Sequence, residues 1–177
     1  MAVYNTDSDS ANTAVRAFLT KVGEYYLNET FNTTSSKGKK IWENIKLEFE
    51  NKCAYCGASD KLEIEHLIMF NREECGLHHP GNIVPICKNC NKSRKRKNNK
   101  YISWEEHLKE KCTDEEYNVR KSKIENHINK YEYPKLTDNE IKAIKVIANS
   151  LYDNIKNEVD KSLELYKIGR ASCRERV

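Results

Sequence analysis

Residues 53–100 read CAYCGASDKLEIEHLIMFNREECGLHHPGNIVPICKNCNKSRKRKNNK, and the cysteine spacing in this stretch decides the fold. Cys53 and Cys56 form one CxxC pair and Cys87 and Cys90 a second, with thirty residues between them. A CxxC turn directs both sulfurs to one point, and two such turns complete a tetrahedral four-sulfur site, the usual geometry of structural zinc. Four thiolates close the coordination sphere, so this ion is a staple and not a catalyst. In small peptides such a zinc is worth on the order of 10–16 kcal/mol, which rivals the roughly 5–15 kcal/mol stability of an ordinary domain. Cys75 lies outside both pairs and reads as a packing residue.

Between and after the pairs the pattern changes. Residues 62–69 alternate well enough for a strand, and residues 83–86 are a short apolar strand after a Pro-Gly turn. Residues 91–97 read as the start of a helix. Strand, loop, strand and helix, clamped by the four cysteines, make a zinc-stapled ββα unit. Outward from it the periodicity is helical. Val15, Phe18, Leu19, Val22 and Tyr26 mark a helix over about 10–31, and Ile41, Trp42, Ile45 and Phe49 mark a second. Thr113-x-x-Glu116 and Thr137-x-x-Glu140 are capping boxes that open further helices. The stripe after Thr137 (Ile141, Ile144, Ala148, Leu151, Ile155, Val159, Leu163) reads as core or helix-pairing surface. It offers a face on which two chains could form a homodimer. The expected class is therefore α+β and mostly helical. An N-terminal helical segment occupies 1–40, the zinc-stapled module 41–104 and a C-terminal helical region 105–168. Residues 169–177 (GRASCRERV) show no apolar period and are expected to be a non-native tail.

Bulk properties narrow the setting. With 38% hydrophobic and 33% charged residues the chain is a soluble type with a modest core. Its longest apolar run, residues 67–70, is far too short to span a bilayer, so no membrane partner is expected. Seven cysteines behind a polar start without a leader pattern point to a reducing, cytoplasmic setting, where paired cysteines hold metal. The net charge of +4 is mild, but residues 92–100 concentrate six cations.

Glu65-His66, Asn82 in GNIVPIC, and Asn91 directly after the fourth cysteine resemble the HNH, or ββα-metal, nuclease motif. With four cysteines it is similar to phage junction-resolving endonucleases and small restriction-like HNH proteins. The resemblance covers about 42–104. It implies that His66 is the general base that deprotonates water for attack on phosphorus, a role suited to a pKa near 6.5. It implies that Glu65 and Asn91 hold one divalent cation, Mg²⁺ or Mn²⁺, and that Asn82 braces the loop. Products would carry 5′-phosphate and 3′-hydroxyl ends. Lys92, Arg94, Lys95, Arg96 and Lys97 would be DNA phosphate contacts, giving affinity but not sequence choice. Two departures are notable: Glu65 stands where Asp is commoner, and Asn91 stands where the name of the motif has His. Adjacent strand residues face opposite ways, so Glu65 and His66 can share a site only where the strand ends or distorts. His78 and His79 are expected at the loop surface, and His107 and His127 as surface or packing residues. The expected function is metal-dependent hydrolysis of DNA phosphodiester bonds, in a bacterial or phage setting such as restriction or anti-phage defence. The alternative is a catalytically inactive zinc module that binds DNA as a regulator or accessory subunit. RNA as substrate is a third option, since 2′-hydroxyl contacts leave no sequence signature.

Overall fold

The structure is a computed structural model that describes residues 6–94, 96–98 and 100–174, with side chains through residue 170. Helix α1, Asp7–Leu27, opens on a capping box in which Thr6 accepts from the Asp9 amide and Asp9 returns to the Thr6 amide. The acids Asp7 and Asp9 complement the helix dipole at that end. Ala11, Val15, Leu19 and Gly23 recur every four residues and form its buried stripe. Asn28, left-handed at φ 55°, ends the helix. Helix α2, Ser36–Glu48, is capped by Ser35 and buries Ile45.

Two five-residue strands follow, β1 Leu62–His66 and β2 Ile83–Cys87, paired antiparallel from Leu62 opposite Cys87 to His66 opposite Ile83. The first strand is shorter than the alternation of residues 62–69 predicts. It stops at His66 because the next amide, of Leu67, donates to the carbonyl of Asn82 outside the ladder. Every residue of β2 is buried. A 3₁₀ turn, Pro80–Asn82, leads into it.

Helix α3, Lys88–Lys92, follows β2 directly. It begins three residues before the predicted helix start and ends well short of residue 97. The basic run instead crosses into a second hairpin, β3 Arg96–Lys97 with β4 Lys100–Tyr101. Asn98 turns there with a left-handed φ of 52°, a conformation that asparagine tolerates better than most residues. The Tyr101 amide donates to Glu74 and pins this hairpin to the loop after β1.

Three helices complete the chain: α4 Trp104–Lys109, α5 Asp114–Lys130 and α6 Asp138–Arg174. The Thr113 and Thr137 capping boxes both form. Helix α6 runs on through Gly169 to Arg174, across the stretch in which the sequence shows no apolar period.

The architecture is α+β and mostly helical, with two apolar clusters. One gathers Phe31, Ile45, Phe49, Tyr55, Ile83, Ile86, Leu108 and Ile124 around the cysteines. The other joins α1 and α6 through Val15, Leu19, Ile144 and Ala148, and takes in Cys75 and Leu77 of the long loop. His127 is fully buried and ties the first cluster together: its ring nitrogens meet Glu48 of α2 and the carbonyl of Pro80. Among the described residues no helix is long and apolar enough to cross a membrane.

Candidate active site

The hairpin has a metal end and a cleft end. At the metal end, Cys53, Cys56, Cys87 and Cys90 place their four Sγ atoms within 4.8 Å of one another, and Cys56 and Cys87 are 3.7 Å apart. Sulfurs bound tetrahedrally at about 2.3 Å from one zinc are themselves about 3.8 Å apart, so the spacing fits such an ion. The first knuckle is shaped by the backbone. Cys53 donates to the carbonyl of Ala58, Gly57 donates back to Cys53, and Gly57 turns at φ +75°, where a side chain is strained. The second knuckle is held from behind by His107, fully buried, whose Nε2 meets the carbonyl of Cys90 at 2.9 Å. Burial, and then the neighbouring sulfurs, push the Cys90 thiol far above its ordinary range. A dication would supply the counter-charge that four crowded sulfurs lack. Among the described residues this is the one cluster of three or more His, Cys, Asp or Glu side chains close enough to share an ion.

At the cleft end, Glu65, His66 and Asn91 line one cavity of about 580 Å³. Glu65 and His66 point to opposite sides of β1, yet both reach the cavity because the strand ends there. Asn82 does not line it. Buried at the loop closure, Asn82 donates from Nδ2 to the carbonyls of Ile68 (2.9 Å) and Leu77 (2.8 Å) and accepts from the Ile68 amide (2.8 Å). Those bonds tie both ends of the loop that follows His66.

His66 is half-buried. Its ring stacks on Phe70 at 4.7 Å, and its Nε2 lies 3.0 Å from Nδ1 of His78. His78 is itself stacked on Phe31 at 4.9 Å. Burial, reinforced by His78, Arg16 and Arg94, pulls the His66 ring down to about 3, so the imidazole is neutral at working pH. His78 is also lowered by burial, against the opposing charge of Glu24. His79 is buried, contrary to the loop-surface expectation: its Nδ1 accepts from the Gly81 amide and caps the 3₁₀ turn.

Glu65 and Arg94 form a buried ion pair, each side chain 4% exposed. Arg94 also donates to the carbonyls of His66, Leu67 and Ile102. The expectation that Arg94 contacts DNA phosphate is therefore corrected: its donors are spent inside the protein. Burial nonetheless raises the Glu65 carboxyl above its usual range, with Arg94 opposing. Asn91 donates from Nδ2 to Glu63 at 2.7 Å. These contacts engage Oε1 of Glu65 and Nδ2 of Asn91. Oε2 of Glu65 and Oδ1 of Asn91 have no hydrogen-bond partner among the described residues, which leaves a hard oxygen donor on each of two residues that line one cleft. Of the remaining basic run, Lys92, Arg96 and Lys97 are exposed, Arg96 stands over the Tyr101 ring at 4.8 Å, and Lys95 lies outside the described residues.

Several cleft residues lie outside the motif. Asn12 and Arg16 of α1, Tyr152 of α6 and Arg72 of the loop all line it. Arg72 sits over the Tyr152 ring at 3.9 Å and pairs with Glu73. Only the four-residue spacing of Asn12 and Arg16, beside the apolar positions Val15 and Leu19, hinted at them in the sequence.

A hairpin with a zinc-knuckle-like group of four cysteines at one end, and a neutral histidine, a carboxylate and an asparagine on one cleft at the other, has the layout of a ββα-metal site. Comparison with known families agrees. Residues 53–97 match the family model described as HNH endonuclease, so the chain carries an HNH endonuclease domain over that segment, which is less than half of its length. No curated protein and no solved structure matches the chain.

Proposed function

We propose that the protein is a metal-dependent endonuclease that hydrolyses DNA phosphodiester bonds in the cleft at the end of β1. The observation that carries this is the convergence of His66, Glu65 and Asn91 on one cavity within the HNH segment. His66 accepts a proton from water through Nδ1, the nitrogen that His78 does not engage. Phe70 and His78 fix the ring, and Asn82 fixes the loop that carries both. Glu65 and Asn91 hold a divalent cation, Mg²⁺ or Mn²⁺, through their uncommitted oxygens. When bound, that ion polarises the scissile phosphate and stabilises the charge on the leaving oxygen. Because Arg94 already offsets the charge of Glu65, the two residues alone would hold such an ion weakly. The four cysteines hold zinc, which keeps the hairpin in shape. Lys92, Arg96 and Lys97 supply phosphate contacts, with Lys95 beside them in sequence. A restriction or anti-phage role rests on the family resemblance, and a reducing, cytoplasmic setting on the paired cysteines.

A second reading, an inactive zinc module that binds DNA, draws support from the Glu65–Arg94 and Asn91–Glu63 contacts, which engage one atom of each side chain without an ion. Incubating the zinc-loaded protein with plasmid DNA, with and without Mg²⁺ or Mn²⁺, separates the two. Metal-dependent nicking or linearisation, with 5′-phosphate ends, is expected. Binding without cleavage under any divalent ion would establish the inactive module. Helix α6 also leaves Val159, Leu163, Leu165, Tyr166 and Ile168 exposed, which supports pairing with a second copy. Sedimentation should then show a dimer.

A further inference from the structure

We propose that Arg16, on the helix α1 that precedes the HNH segment, is a phosphate-binding residue of the cleft and grips the nucleic-acid phosphate beside His66. This rests on the nuclease reading above and extends it to a part of the chain that the family model does not cover.

Three arginines line the cleft, Arg16, Arg72 and Arg96, and they differ in how far they are already committed. Arg96 stands over the Tyr101 ring. Arg72 is paired with Glu73 and stacked over Tyr152. Arg16 lines the same cavity as His66 and Glu65, and no described carboxylate lies within ion-pair distance of it. A guanidinium in a cleft with no carboxylate within ion-pair distance is a ready partner for an anion, and its planar fork matches two phosphate oxygens at once.

Arg16 is also held in place. Its neighbours Val15 and Leu19 are buried in the cluster that joins α1 to α6. Tyr152 of α6 donates to Ser8 of α1 at 3.1 Å and lines the cleft itself. At Gly23 the helix lies so close to the loop that a Cβ would stand 2.5 Å from the carbonyl oxygen of His78, the residue bonded to His66. Helix α1 is thus seated directly on the catalytic loop and presents Arg16 from a fixed backbone. The cleft has one wall from the HNH segment and another from the α1–α6 pair.

The test uses the full chain with zinc bound. Arg16→Ala and Arg16→Gln should each lower Mg²⁺-dependent plasmid cleavage on the order of 10²–10³-fold, the scale of losing one preorganised donor. Zinc content and helical circular dichroism should match wild type. Arg16→Lys, which keeps the charge but loses the fork, should recover part of the rate. Duplex affinity measured without added divalent ion should fall, with the log–log salt slope reduced by about 0.9. Lys21→Ala, on the same helix but paired with Glu24, should change neither. If the Arg16 variants cut and bind like wild type while wild type cuts DNA, the Arg16 proposal is overturned and the nuclease reading stands. If wild type cuts nothing but the Arg16 variants still lower affinity and slope, the phosphate contact stands and the nuclease reading fails. An equal effect of Lys21→Ala would overturn a specific role for Arg16.

Discussion

The two ends of the β1–β2 hairpin are about 13 Å apart along five-residue strands, and they are built on opposite terms. At the Leu62–Cys87 end, four sulfurs converge on one point and leave no position open. At the His66–Ile83 end, the polar groups are half committed: Glu65 keeps one oxygen free of Arg94, and Asn91 keeps its carbonyl oxygen free of Glu63. The comparison teaches a division of labour. On the proposed reading, a closed zinc site would hold the short strands in register, which would let the other end keep buried, incompletely satisfied side chains for chemistry. The same contrast recurs between the two apolar clusters, one wrapped around the cysteines and one joining α1 and α6, with the cleft between them.

The sharpest way to break this comparison is to remove the metal. Chelation, or Cys87→Ser, should abolish amide protection across β1 and β2. An effect of that size is expected because structural zinc contributes on the order of 10–16 kcal/mol in small zinc peptides. Native mass spectrometry should show one zinc lost together with the fold; a metal-free protein with both strands still protected would refute the staple.

A smaller loss is expected at the other end. Arg94→Ala leaves the Glu65 carboxylate buried without its partner and strips donors from three carbonyls. Urea unfolding should show a destabilisation of about 3–5 kcal/mol, the usual consequence of breaking a buried pair. Replacing both members, Glu65→Leu with Arg94→Met, should regain much of that stability while cleavage stays lost. If Arg94→Ala is as stable as wild type, the pair is not what holds this end together.

The smallest effect is a pH dependence. His79 is lowered to about 4 by burial, from an ordinary value of 6.5. Between those values the unfolded chain binds a proton that the folded one refuses, so stability is full above about pH 6.5 and declines as pH falls towards 4. His78 and His107 are lowered in the same direction and share in this. His79→Asn keeps a capping acceptor for Gly81 without titrating, so its melting temperature should fall less over that range. An equal fall would remove His79 as a contributor.

What could be read from the sequence was what is local. The CxxC spacing, the Thr113 and Thr137 capping boxes and the short apolar strand before Cys87 each declare themselves within a few residues. Arg94 did not, because a cation inside a basic run looks solvated until its buried partner, 29 residues earlier in the chain, is known. The run reads locally as the start of a helix, but Asn98, left-handed, turns the chain back so that it folds as β3 and β4. The bond between His66 and His78, and the wall formed by Arg16 and Tyr152, depend on long-range packing that no local pattern encodes.

The central claim is that the chemistry sits at the cleft end and depends on His66. Cleavage of plasmid DNA by His66→Ala tests it most directly, with zinc content and duplex affinity measured on the same sample. The expected result is a fall in rate of about 10²–10⁴-fold, the scale of losing a general base, with zinc and affinity near wild type and no rescue by excess Mg²⁺ or Mn²⁺. Cleavage by His66→Ala at the wild-type rate would contradict the account.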